Sequence, residues 1–371
     1  MMKSELQSQF IPLTYQSQPQ YTYQQKDLCN AIAINHNNTI LVVAADKHLN
    51  FQFQRSQIKV MEIIYSNTST IINLNQIQII QDQHFGFINT LNFFKKNPFM
   101  LDNFISGSQD NQIIIWQLEI VESSKFWIPI FKLKEHSSSI NCLVLRPFNE
   151  DLIISACDKK IKFWSLSNYQ FLSPLIYQGW ECFQTIKEHK SYVFGLSINQ
   201  EGNRVVSCGY DKQILIIEES NRIKWYMKQK IQTYNIGFRI CFIINNLFAY
   251  QSLGINLQLF KFNEKNEKFQ KIKEIPVKGG NCFCSPYFPS SYINTQNLFV
   301  TKNGYHLNFI RFIYSHNQSQ DFQCSLESSI EFDQKGYWGY IYGTLSEDGK
   351  LLITWDFISE QIQFRTQMIK N

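Results

Sequence analysis

The chain has 371 residues, of which 44% are apolar and 15% aromatic, a composition that suits a packed globular body and excludes disorder beyond the ends. Its 35 basic and 30 acidic side chains leave a net charge of +5, too small and too dispersed to indicate a nucleic-acid or membrane-surface binder. No apolar run is long enough to cross a bilayer, and the first residues lack the order of a signal peptide.

The cysteines indicate a reducing compartment, because they are nine in number and scattered through apolar runs. We therefore expect a cytoplasmic protein, with the nucleus left open. Cys282 and Cys284 form a Cys-x-Cys pair, but no second pair or nearby histidine completes a tetrahedral metal set. We interpret this pair as part of a strand and expect neither a metal nor another cofactor.

The first part of the chain, residues 1–26, is rich in Gln, Ser, Tyr and Pro and is expected to be a flexible arm. Within it, residues 10–13 or those just after them are candidates for a strand added elsewhere. From residue 27 onward, apolar runs alternate with turn residues, which indicates strands. The predicted elements of the first unit are strands 28–34, 40–45 and 49–53, followed by an expanded loop, 56–83.

Units two, three and four repeat a common order about every 50 residues. Each has a histidine, an apolar strand, a polar turn, a second strand that ends in small residues and an aspartate, and then a third strand. The third strands are predicted at 113–118, 161–166 and 214–218. A period of this length built from short strands is typical of a β-propeller.

Units five to seven keep the spacing of strands but lose most of this order. Their predicted strands are 238–244, 247–251 and 257–262 in unit five, 282–288, 298–302 and 307–312 in unit six, and 337–345, 350–355 and 361–365 in unit seven. Because the seventh unit ends after its third strand, the N-terminal segment must supply the fourth to close the ring. The sequence therefore predicts an all-β fold: a seven-bladed propeller over residues 27–371, with four-stranded antiparallel blades and an N-terminal closing strand.

The recurring residues resemble those of the WD40-repeat family, clearly over residues 84–217 and by spacing only elsewhere. In that family a His before the first strand, a Ser or Thr in the second, an Asp at the next turn and a Trp in the third strand hold each blade together. The matching residues are His84, Ser106, Asp110 and Trp116 in unit two, His136, Ser155, Asp158 and Trp164 in unit three, and His189, Ser207 and Asp211 in unit four, where Ile217 replaces the Trp. The resemblance implies that these tetrads are structural.

His, Ser and Asp together also fit a hydrolytic triad. That interpretation is weaker, because the set repeats once per unit and no Gly-x-Ser-x-Gly elbow exposes a nucleophile. We therefore predict no enzymatic activity and no catalytic residues.

The resemblance also implies a binding surface on the narrow face around the central channel, where the loop before each first strand meets the turn before each third strand. We call this end of the propeller the loop face. Its predicted residues are Phe87, Asn89, Gln109, Ser139, Asn141, Cys157, Tyr192, Phe194 and Tyr210. Tyr192, Phe194 and Tyr210 are the predicted anchors, since exposed aromatic side chains on a rigid rim anchor interfaces. The alternative for Phe194 is packing within the blade core.

The favoured function is a non-catalytic scaffold that mediates protein–protein interactions as a subunit of a larger intracellular hetero-complex. A narrower alternative is a targeting subunit of cytosolic iron–sulfur protein assembly, because residues 181–189 resemble a segment of that propeller. An enzyme or nucleic-acid binder stays open only because units five to seven are too divergent to interpret.

Overall fold

The computed structural model describes residues 14–47, 55–67, 70–166, 179–220, 224–280, 284–315, 318–332 and 339–368. Over these residues the chain forms seven antiparallel sheets of four strands each. The fold is therefore an all-β, seven-bladed propeller, which confirms the fold predicted from the sequence. None of the helices in the described ranges approaches the length and apolarity that crossing a bilayer requires.

The blades use the strands in chain order, except that the first strand belongs to the last blade. The first strand of the chain is β1 (Thr14–Gln24). Blade one contains β2 (Ile32–Ile34), β3 (Ile40–Lys47), β4 (Arg55–Tyr65) and β5 (Ile71–Ile80), and blade two contains β6 (Ile88–Phe93), β7 (Phe104–Ser108), β8 (Ile113–Val121) and β9 (Ser124–Leu133). Blade three contains β10 (Cys142–Leu145), β11 (Leu152–Ala156), β12 (Ile161–Leu166) and β13 (Trp180–Ile186), and blade four contains β14 (Val193–Ile198), β15 (Arg204–Gly209), β16 (Gln213–Ser220) and β17 (Lys224–Gln232). The remaining strands are β18 (Gly237–Ile244), β19 (Leu247–Ser252), β20 (Asn256–Asn263) and β21 (Lys268–Pro276) in blade five; β22 (Ser291–Ile293), β23 (Leu298–Asn303), β24 (His306–Ser315) and β25 (Gln318–Glu331) in blade six, where a 3-10 helix (Asn294–Gln296) follows β22; and β26 (Ile341–Leu345), β27 (Leu351–Asp356) and β28 (Gln361–Met368) in blade seven.

The ring closes through the N-terminal strand, as predicted. β1 pairs with β28 in antiparallel register from Thr14 opposite Met368 to Gln24 opposite Gln361. Its buried Tyr15 stacks on Phe309 of blade six at 5.1 Å between ring centroids. Residues 14–24 of the expected arm are thus a strand, whereas residues 10–13 lie outside the described residues.

The apolar core lies between neighbouring blades, because each four-stranded sheet is covered on both faces by the sheets of the adjacent blades. β11 is buried at every position, and the apolar side chains of blades two and three form one continuous cluster. The outer strands behave differently: β21 buries only Phe269 and Ile275 and exposes the rest. Burial is therefore greatest in the second strands of the blades, such as β11, β19 and β27, and lowest in outer strands such as β21.

Two predictions of elements are wrong. The expanded loop predicted at 56–83 is instead mostly β4 and β5, which pair along most of their length; Asn and Gln residues interrupt the apolar residues of the outer strand β5 and gave this segment the look of a loop. In blade six the first strand is β22 rather than 282–288. Pro286 and Pro289 lack the N–H groups that a ladder requires, so the segment before β22 stays irregular. The third strand predicted at 49–53 lies outside the described residues.

Candidate functional site

In blade two the histidine, serine, aspartate and tryptophan form one hydrogen-bonded chain. His84 binds Asp110 through Nδ1 (2.8 Å to Oδ2) and Ser106 through Nε2 (2.7 Å to Oγ), and the Trp116 indole N–H donates to Ser106 Oγ at 2.9 Å. Asp110 also accepts backbone N–H bonds at 2.9 and 3.0 Å. Burial opposes its ionisation, but the hydrogen bond from His84 and the backbone donors outweigh burial and hold the pKa of Asp110 below its ordinary value.

Blade four repeats this chain without the indole. His189 binds Asp211 at 2.9 Å through Nδ1 and Ser207 at 2.8 Å through Nε2. Ile217 occupies the third strand and offers no donor. Here too burial is outweighed by the histidine and backbone hydrogen bonds, so the pKa of Asp211 is lowered.

Blade three departs from the expected tetrad. His136 binds Ser155 at 2.6 Å through Nε2, and Trp164 donates to the same hydroxyl at 2.8 Å. Asp158, however, forms no hydrogen bond with His136 and accepts the backbone N–H of Lys159 instead, at 2.6 Å. Among the described residues the buried Nδ1 of His136 has no hydrogen-bond partner. Burial, assisted by nearby lysines, lowers the pKa of His136 to about 3, so its ring is neutral at physiological pH.

These side chains lie inside the blades. The three serines are fully buried, and the three histidines are buried as well. A substrate would have no access to a serine hydroxyl in this arrangement, in contrast to the exposed nucleophile that a hydrolytic triad requires. Across the described ranges, no group of three or more His, Cys, Asp or Glu side chains is arranged to hold a metal ion.

The structure divides the residues predicted for the loop face into exposed and buried groups. Asn89, Asn141 and Cys157 are buried, so the prediction that they form part of the binding surface is wrong for them. The two asparagine side chains donate to backbone carbonyls of the next blade, Asn89 to Ile140 at 2.9 Å and Asn141 to Val193 at 3.0 Å. They tie neighbouring blades together, because a buried amide must find a partner. Phe87, Gln109, Ser139 and Phe194 are half-buried.

Two tyrosines of the predicted surface are exposed and linked. The side chains of Tyr192 and Tyr210 are 51% and 54% exposed, and the Tyr210 N–H donates to the Tyr192 carbonyl at 2.8 Å. Phe194 lies behind Tyr192, stacked on it at 6.3 Å and tilted against Phe238 at 5.7 Å. It therefore supports the exposed pair from the channel wall.

Sequence reasoning missed further exposed apolar side chains on this face, and two of them, from blade five, continue the rim beyond Tyr210. Tyr234 is 94% exposed and Ile255 is 54% exposed. The loop that carries Tyr234 is bonded to the turn after Tyr210, since the Thr233 N–H donates to the Lys212 carbonyl at 2.8 Å. The same rim continues to Ile255 through the bond from Leu253 N–H to the Ile236 carbonyl, 2.9 Å. We call Tyr192, Tyr210, Tyr234 and Ile255 the aromatic surface.

The first strands of all seven blades enclose a central channel of about 810 Å³. Arg239, which lines this channel, is buried and donates to Cys284 Sγ at 3.1 Å and to the Phe288 carbonyl at 2.6 Å. The buried Lys302 also points to Cys284, at 3.7 Å from Nζ to Sγ. Burial alone would raise the pKa of the Cys284 thiol, but the two cations outweigh it and hold the pKa below its ordinary value. Cys284 lies in a loop rather than in the predicted strand, and Cys282 is outside the described residues.

Comparison with known proteins identifies the class. Residues 75–117, 127–165 and 180–218 match the model of the WD domain, G-beta repeat (WD40). Each segment runs from the outer strand of one blade into the third strand of the next, and the three segments contain the histidine sets of blades two, three and four. The protein thus carries WD40 repeats within a seven-bladed β-propeller.

Two curated relatives extend this result. The chain is 27% identical over 127 residues to the ribosome biogenesis protein WDR12 homolog of Chlamydomonas reinhardtii, and 25% identical over 138 residues to striatin of Mus musculus. The matches cover 33% and 34% of this chain, and 26% and 16% of those proteins. The chain thus matches only about a quarter and a sixth of the length of these relatives.

Proposed function

We propose that this protein is a non-catalytic scaffold that binds another protein on its loop face as a subunit of a larger assembly. The observation that carries the proposal is the aromatic surface. Its four exposed side chains stand on loops that backbone hydrogen bonds join into one rim. A rigid rim loses little conformational entropy on binding, and exposed tyrosines provide large contact areas with a polar tip.

The WD40 repeats support this proposal, because proteins with such repeats generally act through protein–protein contacts. The burial of Ser106, Ser155 and Ser207 supports the proposal of a non-catalytic protein, because a substrate could not reach their hydroxyls. We also propose a reducing compartment, the cytoplasm or the nucleus, which fits the eight free cysteines of the described residues.

The relatives do not identify the assembly to which this protein belongs. One is named for ribosome biogenesis, but its match covers a minor part of that protein. The alternative of iron–sulfur protein assembly depends on residues 181–189, which form most of β13 and the loop that leads to His189. Blade two builds the same arrangement with β5 and His84, so the segment does not favour that assembly over others.

Affinity purification of the full chain tests the proposal. Replacing both tyrosines (Tyr192→Ala with Tyr210→Ala) should reduce recovery of at least one stoichiometric partner by about tenfold, because the central anchors of an interface carry most of its binding energy. The matched control is Phe99→Ala with Leu101→Ala, two exposed side chains on a turn between first and second strands, at the opposite end of the propeller. Retention of every partner by the tyrosine variant, with its thermal stability unchanged, would contradict the proposed face.

A further inference from the structure

Lysine side chains surround the aromatic surface on one side. The loops and turns of blades three and four at the loop face carry six of them: Lys134, Lys159, Lys160, Lys187, Lys190 and Lys212. All are exposed except Lys160, which is half-buried and donates to Ser137 Oγ at 2.6 Å. Within the part of the chain that the structure describes, none of the six forms an ion pair with a carboxylate. The lysines are therefore available to an external anion.

The acidic side chains of these same loops are already engaged. Glu135 pairs with Lys162 at 3.4 Å, and Glu188 pairs with Lys230 at 3.2 Å, both lysines of neighbouring strands. Asp211 is occupied by His189 and by backbone N–H groups, and Asp158 accepts the Lys159 N–H at 2.6 Å. Because Glu135 and Glu188 are paired with lysines of the fold, the six lysines outnumber the two aspartates and leave an excess of positive charge on this sector.

The excess is greater here than in two other parts of the rim. The corresponding loops of blade two, residues 81–87 and 109–112, contain no lysine and carry two aspartates. The turn 357–360 of blade seven also lacks lysine and carries a glutamate. A net charge of +5 over the whole chain conceals this asymmetry. The positive sector coincides with the aromatic surface, since Tyr192 and Tyr210 belong to blade four.

Building on the proposed function, we infer that the loop face binds an acidic peptide segment of its partner protein. The carboxylates of this segment lie against the lysines of blades three and four, and an aromatic or aliphatic side chain packs on the aromatic surface. Complementary charge increases the association rate and fixes the orientation, while the apolar contact provides most of the affinity.

A carboxylate-bearing peptide fits this sector better than a nucleic acid does. The loops 134–141, 157–160, 187–192, 210–212, 233–236 and 253–255 contain no arginine. Arginine is the side chain that binds phosphate with a planar fork, whereas lysine acts as a point charge that suits any anion.

A display library of random dodecapeptides, selected on the full chain, tests this inference. The peptides enriched should be acidic around an aromatic or aliphatic centre. Binding of the best peptide, measured by fluorescence polarisation, should weaken about tenfold in the variant Lys190→Gln with Lys212→Gln and should lose part of its salt dependence. The matched control, Lys265→Gln with Lys268→Gln, changes two exposed lysines at a distant hairpin and should leave binding unchanged.

Three results would overturn the inference: no enriched peptide, enriched peptides without acidic residues, or a single-stranded oligouridine that binds the same surface more tightly than any peptide at physiological salt. The proposed binding face and the proposed acidic segment can be contradicted independently of each other. If the tyrosine variant releases a partner in affinity purification while the lysine variant keeps it, the inference of an acidic segment is wrong and the proposed binding face is retained. If both variants keep every partner, the binding face is wrong.

Discussion

Blades two and four differ from blade three at a single aspartate. All three blades bond a buried histidine to a serine of the second strand, but only His84 and His189 are also bonded to an aspartate. In blade three the turn is one residue shorter, since Ser155 and Asp158 are closer in sequence than Ser106 and Asp110. The carboxylate of Asp158 therefore meets its own neighbouring N–H instead of the histidine.

The difference shows which part of the tetrad the blade requires. Blade three keeps its strands, its register and its buried Trp164 without a hydrogen bond between its histidine and its aspartate. The histidine–serine bond is thus common to all three blades, and the aspartate is an additional restraint on the loop before the first strand. The predictions below test this division of roles.

The largest effect is expected for Asp110→Ala in blade two. This change removes the hydrogen bond to His84 and two backbone bonds, and it leaves the buried histidine without its partner, which should lower the free energy of unfolding by about 2 to 3 kcal/mol. The control is Asp158→Ala, which should cost less than about 1 kcal/mol because no hydrogen bond to His136 is lost. Denaturant titration of both variants measures the difference. Equal destabilisation would show that the aspartates have the same role in both blades.

A second prediction concerns acid sensitivity, which should come from blade three. The pKa of His136 is lowered to about 3 in the folded protein, against 6.5 for an ordinary histidine. Between these values the unfolded chain binds a proton that the folded chain does not, so stability falls as the pH falls below 6.5, by about 2 kcal/mol at pH 5. Asp110 and Asp211 act in another range. Their lowered pKa values stabilise the fold above the ordinary value of 3.8, and that contribution is lost only as the pH falls through the lower folded-state values.

His136→Gln tests this assignment, since the amide keeps a hydrogen bond to Ser155 but does not titrate. The variant should lose less stability between pH 7 and pH 5 than the native protein does. If the loss is the same in both proteins, the acid sensitivity does not reside in blade three.

The sequence predicted the ring because its inner strands repeat. Buried strands such as β7, β11 and β15 give short apolar runs at a constant spacing, and this pattern depends only on local sequence. The outer strands were harder to predict. The apolar residues of β5 are interrupted by Asn73, Asn75, Gln76 and Gln78 without an unbroken alternation, so the sequence pattern could not separate this strand from a loop. The three-residue strand β22 is too short to show any period.

The candidate site was predictable only where it repeats. Tyr192 and Tyr210 were found from their distance to His189 and Asp211, but Tyr234 and Ile255 belong to a blade whose loops lack that histidine and aspartate. The cluster of Arg239, Cys284 and Lys302 joins blade five to the loop before blade six, and among the described residues it occurs once. No spacing rule can reveal contacts between residues so far apart in sequence.

The smallest effect concerns the serine hydroxyls, which carry different numbers of bonds. Ser106 is bonded to both His84 and Trp116, whereas Ser207 is bonded to His189 and has no indole to satisfy, since Ile217 replaces the tryptophan. Ser106→Ala therefore leaves two buried polar groups unpaired and Ser207→Ala leaves one, so the first change should cost about 1 kcal/mol more in the free energy of unfolding. Denaturant titration of the two single variants measures this difference. If Ser207→Ala costs as much as Ser106→Ala, the indole bond contributes nothing measurable, and blade four loses no stability through its isoleucine.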